Sequence, residues 1–151
     1  MQTSNPISPV IIPHSEHQID LRAINRNAIS TVKTLRDAGF KAYLVGGCIR
    51  DLLLGLKPKD FDISTNARPE EVLKLFKRAR IIGRRFRIVH VYFGRELLEI
   101  TTFRGHHPED DDHPHASRSD DGQLLRDNIY GSASDDALRR DFTANALYYD
   151  I

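Results

Sequence analysis

Asp60 and Asp62 are the residues best placed to do chemistry in this sequence. One residue apart, they read as positions i and i+2 of a strand, where alternate side chains share a face. Both carboxylates then project together, while Phe61 turns the other way, toward a core. Adjacent carboxylates repel unless a cation lies between them. Hard oxygen donors suit Mg²⁺, which is usually held by one or two carboxylates together with substrate phosphates. A bare Asp-x-Asp is often no more than a solvated turn, so the pair needs support from its surroundings.

That support stands upstream, within Leu44 to Thr65. Gly46 and Gly47 follow the apolar run Ala42 to Val45 and precede the helix-like CIRDLLLG. Glycine lets a backbone approach a ligand closely and adopt positive φ. The free N–H groups of such a turn and of the helix start behind it attract phosphate. Arg50 lies about one helical turn further on, and its planar fork can bind two phosphate oxygens at once. A phosphate cradle followed by a metal-binding pair points to phosphoryl or nucleotidyl transfer. The bland reading, a Gly-Gly turn and an acidic surface patch, accounts for each half but not for their order.

The elements that must position these residues follow from periodicity. Met1 to about Gln18 has three prolines and no period, and is expected to be extended or disordered. Leu21, Ile24, Ala28, Val32 and Leu35 recur at helical spacing, which predicts a helix over Asp20 to Ala38, capped by Asp20 and closed by Gly39. Phe40 to Val45 reads as the first strand. Pro69, Glu70 and Glu71 open a second helix, ending near Lys77 to Ala79. Ile81 to Phe103 reads as a β-hairpin turning at Gly94-Arg95. Its second arm puts Glu99, Thr101 and Phe103 on one face and Leu98, Ile100 and Thr102 on the other. Glu99 can face the Asp60/Asp62 site from a neighbouring strand, or simply face solvent; the pattern fits both.

Beyond the hairpin, residues 105–132 form a long polar stretch, read as a flexible loop. Its histidines and aspartates are too irregularly spaced to make a metal site the default. Ser134 to about Phe142 reads as a helix capped by Ser134. Arg139, Arg140 and Asp141 follow, then Ala146 to Tyr149 as a strand. The two arginines beside one aspartate are either a surface ion-pair cluster or part of a nucleotide site.

Composition sets outer bounds. The chain has 151 residues, 40% of them apolar, a net charge of +1 and a single cysteine, Cys48. One domain fits this length. Lone Cys48 forms no internal disulfide, and no Cys/His spacing suits zinc. No basic-then-apolar leader and no run of transmembrane length is seen, so a cytoplasmic location is expected. The balanced charge hides two blocks. Lys74 to Arg87 holds seven basic residues and no acidic one, and His106 to Asp121 holds six acidic residues and four histidines. Gly83 to Arg87 reads either as a strip that meets RNA phosphates or as a charged edge that discourages aggregation.

LVGGCIRDLLLG, KPKDFDIST, LLEITTFRGHH and ALRRDFTANALYY together resemble the head-domain motifs of class II nucleotidyltransferases. These are the CCA-adding tRNA enzymes and bacterial poly(A) polymerases of the DNA polymerase beta superfamily. GRRFRIVHVYFG, TFRGHH and GQLLRDNIYGSASDDALRRDFTANALYY bring the chain nearer to the bacterial poly(A) polymerases. The likeness runs from about Val10 to the end.

The resemblance implies an α+β nucleotidyltransferase fold, a small mixed β-sheet backed by helices, over residues 19–151. It implies two Mg²⁺ ions on Asp60 and Asp62, and a triphosphate held by Gly46, Gly47 and Arg50. It places Arg104, Arg139, Arg140 and Asp141 at the nucleotide, with Asp141 as third catalytic carboxylate and Glu99 as its competitor. The expected reaction is template-independent addition of AMP from ATP to an RNA 3′ end, with no obligate protein partner and no membrane. The family's helical neck, body and tail, including the base-selecting residues, have no counterpart in this chain. Three rivals stand beside this reading: a CCA-adding enzyme, a non-catalytic RNA-binding module, and a metal-dependent phosphohydrolase, which the missing His/Asp strand motifs disfavour.

Overall fold

The computed structural model describes residues 10–105, 130–138, 140 and 146–151. Its frame is a six-stranded sheet in the order β3-β4-β5-β2-β1-β6. The strands are β1 (Ala42–Val45), β2 (Asp62–Thr65), β3 (Ala79–Ile82), β4 (Ile88–Phe93), β5 (Glu96–Thr102) and β6 (Tyr148–Tyr149). Only the β2–β5 pairing is parallel; the other four are antiparallel. The sheet is therefore mixed, and its one parallel junction lies at its centre.

Alternation along the strands gives the sheet two unlike faces. Leu44, Ile63, Ile100 and Val89 stand in one cross-strand row. Each is at most 1% exposed, and they pack with Ala28, Val32 and Leu35 of helix α2 (Arg26–Asp37). Helices α3 (Gly47–Leu53) and α4 (Pro69–Leu75) add Cys48, Ile49, Leu52 and Val72 to the same core. The opposite face carries the polar row Asp62, Glu99, His90 and Arg80. Phe61 is buried, as the alternation requires.

Several boundaries differ from expectation. The helix does not start at Asp20. That side chain caps a separate 3₁₀ turn, Leu21–Ala23, while α2 begins after Asn25, whose side chain accepts from the Asn27 backbone N–H at 2.7 Å. Asparagine is as good an N-cap as aspartate, and two caps close together split one apolar period into two elements. Gly39 does close α2, with φ +92°. A short helix, α1 (His14–His17), occupies part of the segment expected to be extended. The expected hairpin has its turn at Gly94-Arg95, but a third strand, β3, pairs with β4 along its outer edge. The last helix, α5 (Ala133–Leu138), is capped by Ser132 rather than Ser134: the Ser132 hydroxyl accepts from the Asp135 N–H at 3.2 Å, and Asp135 accepts from the Ser132 N–H at 3.0 Å. Most of the loop assigned to residues 105–132, together with Arg139 and Asp141, lies outside the described residues.

Candidate active site

The polar face of the sheet gathers the functional side chains. β2 begins at Asp62, so Asp60 precedes the strand instead of lying within it as expected. Asp60 is exposed and Asp62 half-buried. Asp62 pairs in register with Glu99 across the parallel β2–β5 junction, which turns both side chains to one face. Of the two readings open for Glu99, the structure selects the one beside the aspartates. Burial, then the Glu99 charge, then that of Asp60 push the Asp62 carboxyl up to about 6, against a smaller opposing pull from Arg140. Two neighbouring carboxylates thus bear on Asp62 at the middle of the sheet.

Gly46 joins β1 to α3 next to this group. It has φ +79° and ψ −149°, a region open only to glycine. A methyl group added there comes to 3.9 Å from an Asp62 carboxylate oxygen, an ordinary contact. The cost of Gly46→Ala is therefore strain rather than collision. We expect the variant to lose about 1–3 kcal/mol, read as a lower midpoint in urea unfolding. At Gly47 the added carbon lies 3.2 Å from the Arg50 Nη2. The Arg50 guanidinium thus folds back over the glycine turn, where Asp51 accepts from its Nε and Nη2 at 3.3 Å. Cys48 is buried in the same turn, 3.2 Å from the Val45 carbonyl, and burial pushes its thiol up to about 11. This cysteine is a packing residue, not a nucleophile.

The other flank is built by α5 and β6. Asp136, 6% exposed, accepts from the Arg104 backbone N–H at 3.1 Å, from Arg140 Nη2 at 3.2 Å and from the Tyr148 hydroxyl. Arg140 Nε donates to the Tyr148 oxygen at 3.1 Å, and its Nη2 also reaches the Ser64 hydroxyl at 3.4 Å. Burial opposes the Arg140 charge, but Tyr148 and Asp136 more than offset this, so Arg140 remains a cation. Arg104 lies with its guanidinium 4.2 Å over the Phe86 ring. The basic strip also has an acidic partner, supplied from α4: Arg87 pairs with Glu70 at 3.2 Å.

The structure therefore brings together Gly46, Asp62, Glu99 and Arg140, with Asp60, Gly47 and Arg50 at the rim. Asp136, Tyr148 and Ser64 were not singled out from the sequence as site residues. The i, i+4 spacing of Asp136 and Arg140 is the one signal of this contact in the sequence, and Asp136 equally suits an ordinary acid of a helix's first turn.

The acidic group fits Mg²⁺ in its chemistry. Its donors are all carboxylate oxygens, and a cation offsets both the burial of the Asp62 charge and the push of Glu99 and Asp60 upon it. Among the described residues no three such side chains converge into a ready-made cage. An ion completed by substrate phosphates does not need one.

The mixed sheet, with Asp62 and Glu99 paired beside a glycine turn, has the architecture of the nucleotidyltransferase fold. In keeping with this, the chain is similar to the crystal structure of Bacillus stearothermophilus CCA-adding enzyme in complex with CTP. The identity is 34% and the TM-score 0.61, over 82% of this chain and 27% of that one. The poly A polymerase head domain family matches residues 42–151, and the chain belongs to that family. It is 54% identical to poly(A) polymerase I of Salmonella typhimurium over 142 residues, covering 93% of this chain and 30% of the relative. Against poly(A) polymerase I of Haemophilus influenzae it is 52% identical over 141 residues, covering 93% and 31%. The chain spans about 30% of the length of these curated relatives. Among the described residues, no helix is long and apolar enough to cross a membrane.

Proposed function

We propose that this chain is the catalytic head of a poly(A) polymerase, which adds AMP from ATP to RNA 3′ ends without a template and releases pyrophosphate. The observation that carries the reading is the in-register pairing of Asp62 with Glu99, beside Gly46 and facing Arg140. The higher identity to poly(A) polymerases than to the CCA-adding structure favours ATP and a general RNA end over CTP and tRNA.

In this reading Asp60 and Asp62 hold Mg²⁺. Bound there, Mg²⁺ supplies charge neutralisation at the triphosphate and eases ionisation of the RNA 3′-hydroxyl. The protein's own share is positional. Gly46, Gly47 and Arg50 seat the triphosphate, and Arg140, with Arg104 and Arg139, meets the nucleotide's negative charge. Asp141 or Glu99 supplies the third carboxylate; the placement of Glu99 beside Asp62 supports Glu99. Holding the 3′-oxygen in line with the α-phosphorus removes much of the entropic barrier. The bond from the α-phosphorus to the bridging oxygen breaks as the new phosphodiester bond forms, and pyrophosphate leaves with that electron pair. The protein acts in the cytoplasm, on RNA and ATP, with no obligate protein partner.

The test uses the full-length natural chain with Mg²⁺ and each of the four NTPs separately, on a generic RNA primer and on a tRNA lacking its CCA end. Asp60→Ala serves as control. Long tails from ATP alone on the generic primer, lost in the control, are expected. Two C and one A added only to the tRNA would reassign the protein as a CCA-adding enzyme. No incorporation on either substrate would leave an RNA-binding module.

A further inference from the structure

The contacts of Asp136 leave Arg140 with little freedom. A guanidinium offers five N–H donors. Nε is spent on Tyr148, and both hydrogens of Nη2 are spent, on Asp136 and on Ser64. Among the described residues, no acceptor is bonded to Nη1. Ser64 lies two residues beyond Asp62 on β2, so it shares the face that bears the carboxylates. Tyr148 stands in register with Val45, which in turn stands in register with Asp62. The hydroxyl of Tyr148 also donates to Asp136, so Arg140, Tyr148 and Asp136 close a hydrogen-bonded ring. The second Asp136 oxygen is tied to the chain just past β5 through the Arg104 N–H. The carboxylate at the centre of this ring is itself buried.

We propose that Asp136 and Tyr148 are positioning residues that hold Arg140 against β2 beside Asp62, so that its remaining Nη1 donors meet the anionic nucleotide. This rests on the nucleotide-transfer reading above. An arginine side chain carries substantial rotamer entropy, and fixing it before the nucleotide arrives removes that cost from binding. The plainer role for the same contacts is a clasp that fastens α5 and β6 to the sheet. The two differ in what they couple to. A clasp acts on stability alone, whereas a positioning residue loses its effect once Arg140 itself is changed.

The test uses D136N, Y148F, R140K and the D136N/R140K double variant of the full-length natural chain. The Kd for ATP is measured by equilibrium dialysis at fixed Mg²⁺, and the melting temperature on the same samples. Each single variant is expected to bind ATP about tenfold more weakly, the loss of one charge-assisted bond or its alignment. The melting temperature of D136N is expected to fall as well, because Arg140 loses its buried counter-charge, so the binding loss and its disappearance in the R140K background carry the test. The double variant should bind no more weakly than R140K alone. If the D136N and R140K factors multiply, or if D136N lowers the melting temperature and leaves Kd unchanged, the proposal is overturned. Because Kd needs no RNA, a wild-type protein that binds ATP yet extends no primer sinks the transfer reading alone. Wild-type protein that binds no ATP overturns both.

Discussion

Asp62→Asn is expected to make the protein inactive and, in the absence of divalent cations, more stable. The activity loss follows from the donor set. Asparagine keeps the shape of the side chain but removes the charge that would hold the metal ion easing ionisation of the RNA 3′-hydroxyl. A lost metal interaction is worth several kcal/mol of transition-state stabilisation, so transfer should fall by at least about 10³-fold. The stability gain follows from the Asp62 carboxyl, pushed up from 3.8 to about 6 by burial, Glu99 and Asp60. A carboxyl raised in the folded state favours folding when protonated. That stability is fully present below about pH 4, fades as pH rises toward 6, and is absent above it. Asparagine cannot ionise, so it escapes the loss. The rise from 3.8 to about 6 corresponds to about 3 kcal/mol. Asp62 is only half-buried, and solvent screening reduces the expected gain to about 1 kcal/mol at pH 7.5.

Urea unfolding with a chelator present, at pH 4 and pH 7.5, checks this directly. The variant and wild type should coincide at the lower pH and separate at the higher one. Adding Mg²⁺ should then stabilise wild type and leave the variant unmoved, because an ion that binds the folded state shifts the equilibrium by mass action. A variant that keeps near wild-type transfer would remove Asp62 from the chemistry. One that loses transfer yet gains no stability at pH 7.5 would mean that burial and the charges of Glu99 and Asp60 do not hold the Asp62 carboxyl raised.

The contrast between Asp62 and Glu99 shows what the sequence could convey. The stretch from Leu44 to Thr65 is local: an apolar run, two glycines, a helix of one or two turns and a second strand follow one another within 22 residues. Residue types and short spacings mark the glycine turn and the inward-facing Phe61 even though β1 and β2 also pair with the distant β6 and β5. Glu99 lies 37 residues beyond Asp62, and only the parallel β2–β5 register brings them together. Alternation on β5 shows which residues share its face; it does not show which strand lies alongside. β3 was hidden for a related reason. Ile81 and Ile82 fall inside a basic block, and a four-residue edge strand offers too short a run to establish a period. At Asn25 and Ser132 the capping chemistry was read correctly in kind but set on Asp20 and Ser134, because two good caps stood within a few residues of each other. Asp136 was the hardest to see. Its neighbour Asp135 is a helix-start acid of the ordinary sort, and nothing in the pair says that one carboxylate is capping while the other is buried.

That difference makes Asp136→Ala the strongest stability prediction. Removing the carboxylate strands three donors at once: the Arg104 N–H, the Tyr148 hydroxyl and the Arg140 guanidinium. Breaking a buried ion pair from one side costs about 3–5 kcal/mol, because the remaining charge keeps its burial and loses its partner. Arg140 retains 24% side-chain exposure, so part of that charge can be hydrated. The expected loss is accordingly about 3 kcal/mol. Asp135→Ala is the natural control, one residue away in the same helical turn. It removes a cap interaction with the Ser132 N–H, worth about 1 kcal/mol. Urea unfolding of the two variants should therefore give losses differing by a factor of about three. Equal losses would mean that the Asp136 carboxylate is replaced by water without penalty, and that the ring it closes with Arg140 and Tyr148 is not held by the protein interior. A loss confined to Asp136, accompanied by early exposure of Tyr148 and the β6 edge in hydrogen exchange, would show the carboxylate acting as a joint between α5, β6 and the polar face of the sheet.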